Sequence, residues 1–223
     1  MVKHVIAVIA LLAPFTSSFL NKHASCKLNN PARPFLNKLS SVSFTSEVCS
    51  TIKDELYQEL LQEINKVGQV GSKTTEENRK LIEIISNKII PYSENNPARL
   101  ELTGEHNLLY SASPGGSSGA IGPFTGKVSQ RFINDTSFQN IVNLGPLEIT
   151  LTAERKILDD NRVRVKFIET SVKLLSVEVL KKETKGQGVW NNLFSGVVRD
   201  ADGNPMLLRI MKTPSLFIIK QRL

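Results

Sequence analysis

The residues that could carry acid–base or metal chemistry are few and widely separated. His106 is the only histidine beyond residue 23, and one histidine makes neither a zinc site nor a catalytic triad without partners from elsewhere in the chain. Asp159 and Asp160 are adjacent, so on an extended strand they point to opposite faces, and Asn161 after them is typical of a turn. We therefore predict no catalytic residue, no metal and no cofactor, and interpret His106 as structural.

A glycine-rich stretch at residues 114–119 invites comparison with a phosphate-binding loop. In such loops the lysine is followed by a serine or threonine whose hydroxyl binds magnesium. Here Gly126 and Lys127 are followed by Val128, and the spacing of the glycines differs. The stretch is interpreted as a hairpin loop.

The net charge does not support nucleic-acid binding. The 223 residues include 28 Lys and Arg and 21 Asp and Glu, a formal net charge of +7. Five of the basic residues precede Glu47, the first acidic residue, so most of the excess lies in the N-terminal segment. A nucleic-acid protein should carry this excess in its folded domain. Nucleic acid is therefore not an expected partner.

Residues 1–46 combine two targeting patterns. A basic start and an apolar run over 5–12 are followed by small residues, which is typical of a signal peptide over 1–18. Residues 19–46 are rich in Ser, Asn and basic residues and contain no acid, as in an organellar transit peptide. The junction before Phe19 resembles the bipartite presequence of algae whose plastids arose by secondary endosymbiosis. A plain secreted protein is the alternative.

Apolar periodicity predicts two helices within residues 47–97. Over 52–67 the apolar residues recur at spacings of three and four, which indicates an amphipathic helix. Thr74, with Glu77 three residues later, predicts a capping box that opens a second helix, and Pro91 ends it. We expect both helices to pack on the domain that follows.

Beyond residue 97 the apolar period becomes two. The clearest strand is 162–167, in which basic and apolar side chains alternate, so one face is buried and one is wet. Seven or eight short strands without an intervening helix predict an antiparallel barrel over 98–223. A barrel of about eight strands has room for side chains or one small ligand. The side chains expected to line it are Tyr110, Phe132, Val165, Phe167 and Phe217.

Trp190, the only tryptophan, and Phe194 stand in a segment bracketed by glycines. Two interpretations remain open for the tryptophan: its ring caps the barrel, or it faces a lipid interface. Both residues are thus candidates for a membrane-surface contact.

Taken in order, these segments resemble the plastid lipid-associated proteins, or fibrillins, from about Lys53 to Arg222. The opening strand, L-T-G-E-H-N-L-L-Y-S, is similar to the family's L-x-G-x-W-x-L-L-Y-T. The other stretches that carry the resemblance are 126–133, 140–147, 162–167, 208–210 and 215–219.

The resemblance implies a mainly β, lipocalin-like antiparallel barrel preceded by two N-terminal α-helices. It also implies binding of lipids or prenylquinones, in a structural or carrier role, at plastoglobules or thylakoids. In lipocalins a tryptophan two residues after a glycine packs under an arginine at the closed end. Gly104 and Arg209 match that arrangement, and His106 stands in place of the tryptophan. The alternatives are a lipocalin-fold enzyme on a lipophilic plastid substrate and a secreted lipid carrier.

Overall fold

The computed structural model describes residues 46–223, with side chains from Cys49 onward, so the predicted signal and transit segments lie outside the described residues. Two α-helices come first, α1 (Ser46–Val67) and α2 (Glu76–Ile89). The strands are β1 (Gly104–Ser111), β2 (Ala120–Ile121), β3 (Phe124–Thr125), β4 (Lys127–Phe132), β5 (Ser137–Leu144), β6 (Leu147–Ile157), β7 (Arg162–Leu174), β8 (Val177–Arg199), β9 (Pro205–Lys212) and β10 (Leu216–Arg222).

Within residues 46–223, eight strands close into a barrel in the order β1-β10-β9-β8-β7-β6-β5-β4. From β4 to β10 each strand pairs antiparallel with the next, and β1 closes the sheet by pairing with both β4 and β10. The short strands β2 and β3 make a separate sheet directly after the glycine-rich stretch at 114–119. The predicted mainly β, lipocalin-like antiparallel barrel with two preceding helices is confirmed.

The two helices cover one outer face of the barrel. Their apolar faces pack against outward-facing side chains of β1, β8, β9 and β10 and are buried at the centre of this contact. The largest members of this interface are Tyr57, Leu60, Ile82, Ile85, Ile89, Tyr110, Phe194, Ile210 and Ile218. Within the described residues, no helix has the length and apolar character needed to cross a membrane.

The cap of α2 lies one residue later than predicted. A short 3₁₀ helix at Gly71–Lys73 delays the start of α2, so Thr75 is the N-cap and its side chain accepts a hydrogen bond from the backbone N–H of Asn78 at 3.3 Å. Thr74 Oγ1 instead accepts from Asn78 Nδ2 at 3.0 Å. The helix itself is as predicted.

Strands β7 and β8 form a long hairpin, and the predicted strand 162–167 is the first part of β7. The chain turns at Leu175 and Ser176, which have φ values of 50° and 67°. The glycine-bracketed segment around Trp190 is part of β8, a strand of 23 residues. Its glycines therefore lie in the barrel wall rather than in a loop.

The segment between α2 and β1 closes one end of the barrel. Its backbone is held by the N–H of Ala98, which donates to the Asp160 carbonyl at 2.8 Å, and by Gln221 Nε2, which donates to the Thr103 carbonyl at 2.8 Å. Ala98 and Leu102 are buried against aromatic and aliphatic side chains inside this end. At the opposite end, which we call the open end, lie the tip of the β7–β8 hairpin and Ile121 of β2, whose side chain is buried against the interior.

Candidate ligand site inside the barrel

The interior of the barrel is mostly apolar. Alternation along the paired strands decides which side chains face inward. The buried inward-facing group of the open half includes Leu108, Val128, Val142, Ile149, Val172, Met211, Phe217 and Ile219. The corresponding group near the closed end includes Phe132, Phe138, Ala153, Val163 and Val165.

A layer of buried polar side chains is set into this apolar interior and centres on Arg209, which is 4% exposed. Its Nη2 donates to Asn192 Oδ1 at 2.8 Å, and its Nη1 reaches Gln130 Oε1 at 3.5 Å. Gln130 Nε2 donates in turn to Asn140 Oδ1 at 2.9 Å. The Nε of Arg209 has no hydrogen-bond partner.

The ring of Phe132 contacts three side chains of this region. The guanidinium carbons of Arg209 and Arg155 lie 5.6 and 5.5 Å from its centroid, within the range of cation–π contacts. The His106 ring meets it edge-on, with centroids 5.1 Å apart. Phe132 thus lies against Arg209, as the tryptophan does in the lipocalin arrangement.

His106 is fully buried, and neither ring nitrogen makes a hydrogen bond of good geometry. Burial and, after it, the charge of Arg209 lower the pKa of His106 to about 4, while the Thr103 backbone acts in the opposite direction. The imidazole is therefore neutral at neutral pH. Burial and then the charge of Arg155 lower the pKa of Arg209 to about 9, so this guanidinium stays charged.

Part of the inner wall remains accessible to solvent. Phe167, Gly186, Gly188 and Trp190 face inward by strand alternation, yet each is only partly buried. The two glycines leave the wall of β8 without side chains opposite Phe167 and Val165. A Cβ on Gly188 would meet only Trp190 Nε1, at 3.9 Å. A Cβ on Gly186 would come within 3.2 Å of Phe167 Cδ2, so the open space on this wall lies at Gly188.

A family model for PAP_fibrillin matches residues 51–211, from within α1 to within β9. The chain belongs to the PAP_fibrillin family. Searches among curated proteins and among solved structures give no match. The resemblance to plastid lipid-associated proteins, inferred from ordered motifs, is thereby confirmed for most of this fibrillin's length.

Four of the five predicted lining residues of the fibrillin barrel, Phe132, Val165, Phe167 and Phe217, lie on its inner face. Tyr110 does not, and its assignment to the interior is wrong. The register of β1 shifts between Leu108 and Tyr110, so the tyrosine ring is turned outward and fully buried beneath the helices.

The membrane-surface assignment of Phe194 is also wrong. A register shift in β8 between Asn192 and Phe194 turns the phenylalanine to the outer face, where the helices bury it completely. Trp190 faces inward, and its ring lies 5.6 Å from that of Phe138. It contributes to the filling of the barrel and stays partly accessible to solvent.

The other polar side chains in the layer around Arg209 were not predicted. Arg155 lies two residues from Ala153 and from Ile157 on the inner face of β6, so strict alternation could have placed it inside. No comparable signal marks Gln130 or Asn192, since buried amides have the same sequence context as surface amides. Within the described residues of the fibrillin, no group of three or more His, Cys, Asp or Glu could hold a metal ion.

The low pKa of His106 predicts a pH-dependent stability. Between pH 6.5 and about 4 the unfolded histidine is protonated and the folded one is not, so its contribution is complete above pH 6.5 and is lost as the pH falls. Relative to a His106→Phe variant, the wild type should lose up to about 3 kcal/mol of unfolding free energy over this range. Urea unfolding at pH 7 and pH 4 measures it. The wild type and the variant have the same carboxylates. Equal losses of unfolding free energy in the two proteins would therefore contradict the low pKa of His106.

Proposed function

We propose that this fibrillin holds a lipid or prenylquinone inside its barrel and acts as a structural or carrier protein at plastoglobules or thylakoids. The observation that supports this function is the apolar inner wall that stays accessible beside Gly186 and Gly188. Apolar pockets with a few placed polar groups are the usual sites for small lipophilic ligands.

An enzyme acting on a lipophilic substrate is the alternative, and the buried polar groups give it little support. General acid–base catalysis most often uses histidine or a carboxylate positioned at the substrate. Among the described residues, none of the buried polar side chains is Asp or Glu. His106 is the one buried imidazole of this region, and no carboxylate orients it. A binding role is therefore the better proposal.

Filling the accessible part of the interior should displace the ligand. Gly188→Leu puts a side chain into this space. Gln187→Leu is the control, because it puts the same side chain at the neighbouring position on the outer face. We expect affinity for a prenylquinone to fall roughly tenfold in the first variant and to stay unchanged in the second. Quenching of Trp190 fluorescence reports binding, because it is the only tryptophan. Equal affinities in two variants that both melt cooperatively would contradict binding at this wall.

The tip of the β7–β8 hairpin is the part of the barrel best suited to enter a lipid surface. It exposes Leu174, Leu175, Val177 and Val179 at 39 to 74% of their area, beside the open end. Leu175 also occupies left-handed backbone, which costs energy for a side chain other than Gly, Asn or Asp. Apolar side chains at such a turn stabilise neither the core nor the fold, so we assign them to lipid contact.

Replacing the tip with polar residues should weaken attachment without loss of fold. Leu175→Asn suits left-handed backbone better than leucine, and Val177→Ser removes a second exposed aliphatic chain. Together they should lower binding to galactolipid vesicles at least about tenfold, given 1.5–3 kcal/mol for full burial of an aliphatic side chain. Val189→Ser, exposed on the outer face of β8, is the matched control. If the Leu175→Asn, Val177→Ser double variant floats with vesicles as well as the Val189→Ser control does, attachment lies elsewhere.

The leader supports delivery to plastids by a signal peptide followed by a transit peptide. A reporter fused to residues 1–50 should enter plastids in an alga with secondary plastids, and Phe19→Ala should hold it before the stroma. Fluorescence microscopy with a stromal marker distinguishes these outcomes. Secretion of the unaltered reporter would favour the secreted carrier instead.

A further inference from the structure

The closed end of the barrel carries a charge that its own side chains do not neutralise. We propose that this end binds the carboxylate of a long-chain fatty acid, with the Arg209 guanidinium as the principal ligand. The inference rests on the proposed function, since the tail of the acid would occupy the same interior.

Arg209 is buried without a counterion. Among the ion pairs of the described residues none includes Arg209 or Arg155, and the two side chains that accept hydrogen bonds from Arg209 are neutral amides. The charged side chain that acts on it is Arg155, which carries the same sign and also lies over the Phe132 ring. Burying a charge is costly unless it is paired, and neutral amides and an aromatic ring offset this cost only in part. An anionic ligand would remove this cost.

The same region holds buried polar atoms without partners. The Nε of Arg209 has no hydrogen-bond partner and neither ring nitrogen of His106 makes a hydrogen bond of good geometry, although polar groups inside proteins are nearly always satisfied. Both residues contact the ring of Phe132, so these groups surround one point in the barrel. The imidazole has only the Thr103 backbone near it, and the guanidinium has a planar fork of donors that matches a carboxylate.

The charge balance favours an ion with a single negative charge. Arg155 is already partly compensated, because its Nε donates to the Asp135 carbonyl at 2.6 Å and the Asp135 charge stabilises its protonated form. Arg209 has no such neighbour, which leaves about one positive charge to be matched. A carboxylate supplies that charge, whereas a phosphate dianion would bring more than the site offsets.

The accessible inner wall begins at the level of this cluster. Arg155 pairs across the sheet with Val165, and Val165 pairs with Gly188. From there the wall of β8 continues through Gly186 towards the open end. An acyl chain could therefore run from the guanidinium layer along the glycines, with its carboxylate at the closed end.

A matched pair of probes tests the proposal on the purified protein. cis-Parinaric acid and its methyl ester share one fluorescent tail and differ in the head-group charge, and energy transfer from Trp190 reports binding of either. At pH 8 we expect the acid to bind at least about tenfold more tightly than the ester. Arg209→Gln should abolish this preference and leave the ester affinity within about threefold. Arg164→Gln, the same change on the outer face of β7, should preserve the preference.

Each outcome bears on the proposal. Equal binding of acid and ester by the wild type would overturn the carboxylate site while the interior lipid site stands. Retention of the preference in folded Arg209→Gln would also overturn it. If Arg209→Gln does not fold, the ratio of acid to ester affinity in the wild type still tests the carboxylate site. Failure of both probes to bind the wild type, together with no quenching by a prenylquinone, would overturn the proposed function as well.

Discussion

Closure of an eight-stranded sheet is the constraint on which the rest of this fibrillin depends. Every strand between β4 and β10 is paired on both sides, so each residue faces either a narrow interior or the outer surface. Register shifts are therefore consequential, because one extra residue moves the following side chains to the other face. Two such shifts place Tyr110 and Phe194 under the helices instead of inside the barrel.

The helices bury the side chains that those shifts turn outward. The face formed by β1, β8, β9 and β10 is as apolar outside as it is inside, and α1 and α2 bury it. Away from that face, β7 and β8 end in an exposed hairpin beside the β5–β6 turn, where the N–H of Leu175 donates to the Pro146 carbonyl at 2.8 Å. The helix-covered core and the tip proposed for lipid contact thus lie in different parts of one sheet, so substitutions at the tip leave the core side chains unchanged.

The interior contains packed apolar side chains and one charged layer, and the two have different physical roles. In the proposed function the apolar side chains contribute contact without direction, because hydrophobic contact is not directional. Arg209, Gln130 and Asn192 impose direction, because hydrogen bonds to a buried guanidinium need defined geometry. Such a layer at the closed end would orient an amphiphile with its tail towards the open end.

The sequence alone determined the helices, the barrel and the family, because these follow from local periodicity and from motifs in order along the chain. The alternation at 162–167 placed Val165 and Phe167 inside correctly, since no register shift interrupts that stretch. What only the tertiary structure decided is which aromatic ring lies against Arg209. His106 occupies the position of the expected tryptophan, but Phe132, from the neighbouring strand, lies against the guanidinium. Such contacts depend on pairing between distant segments, which periodicity within one segment does not encode.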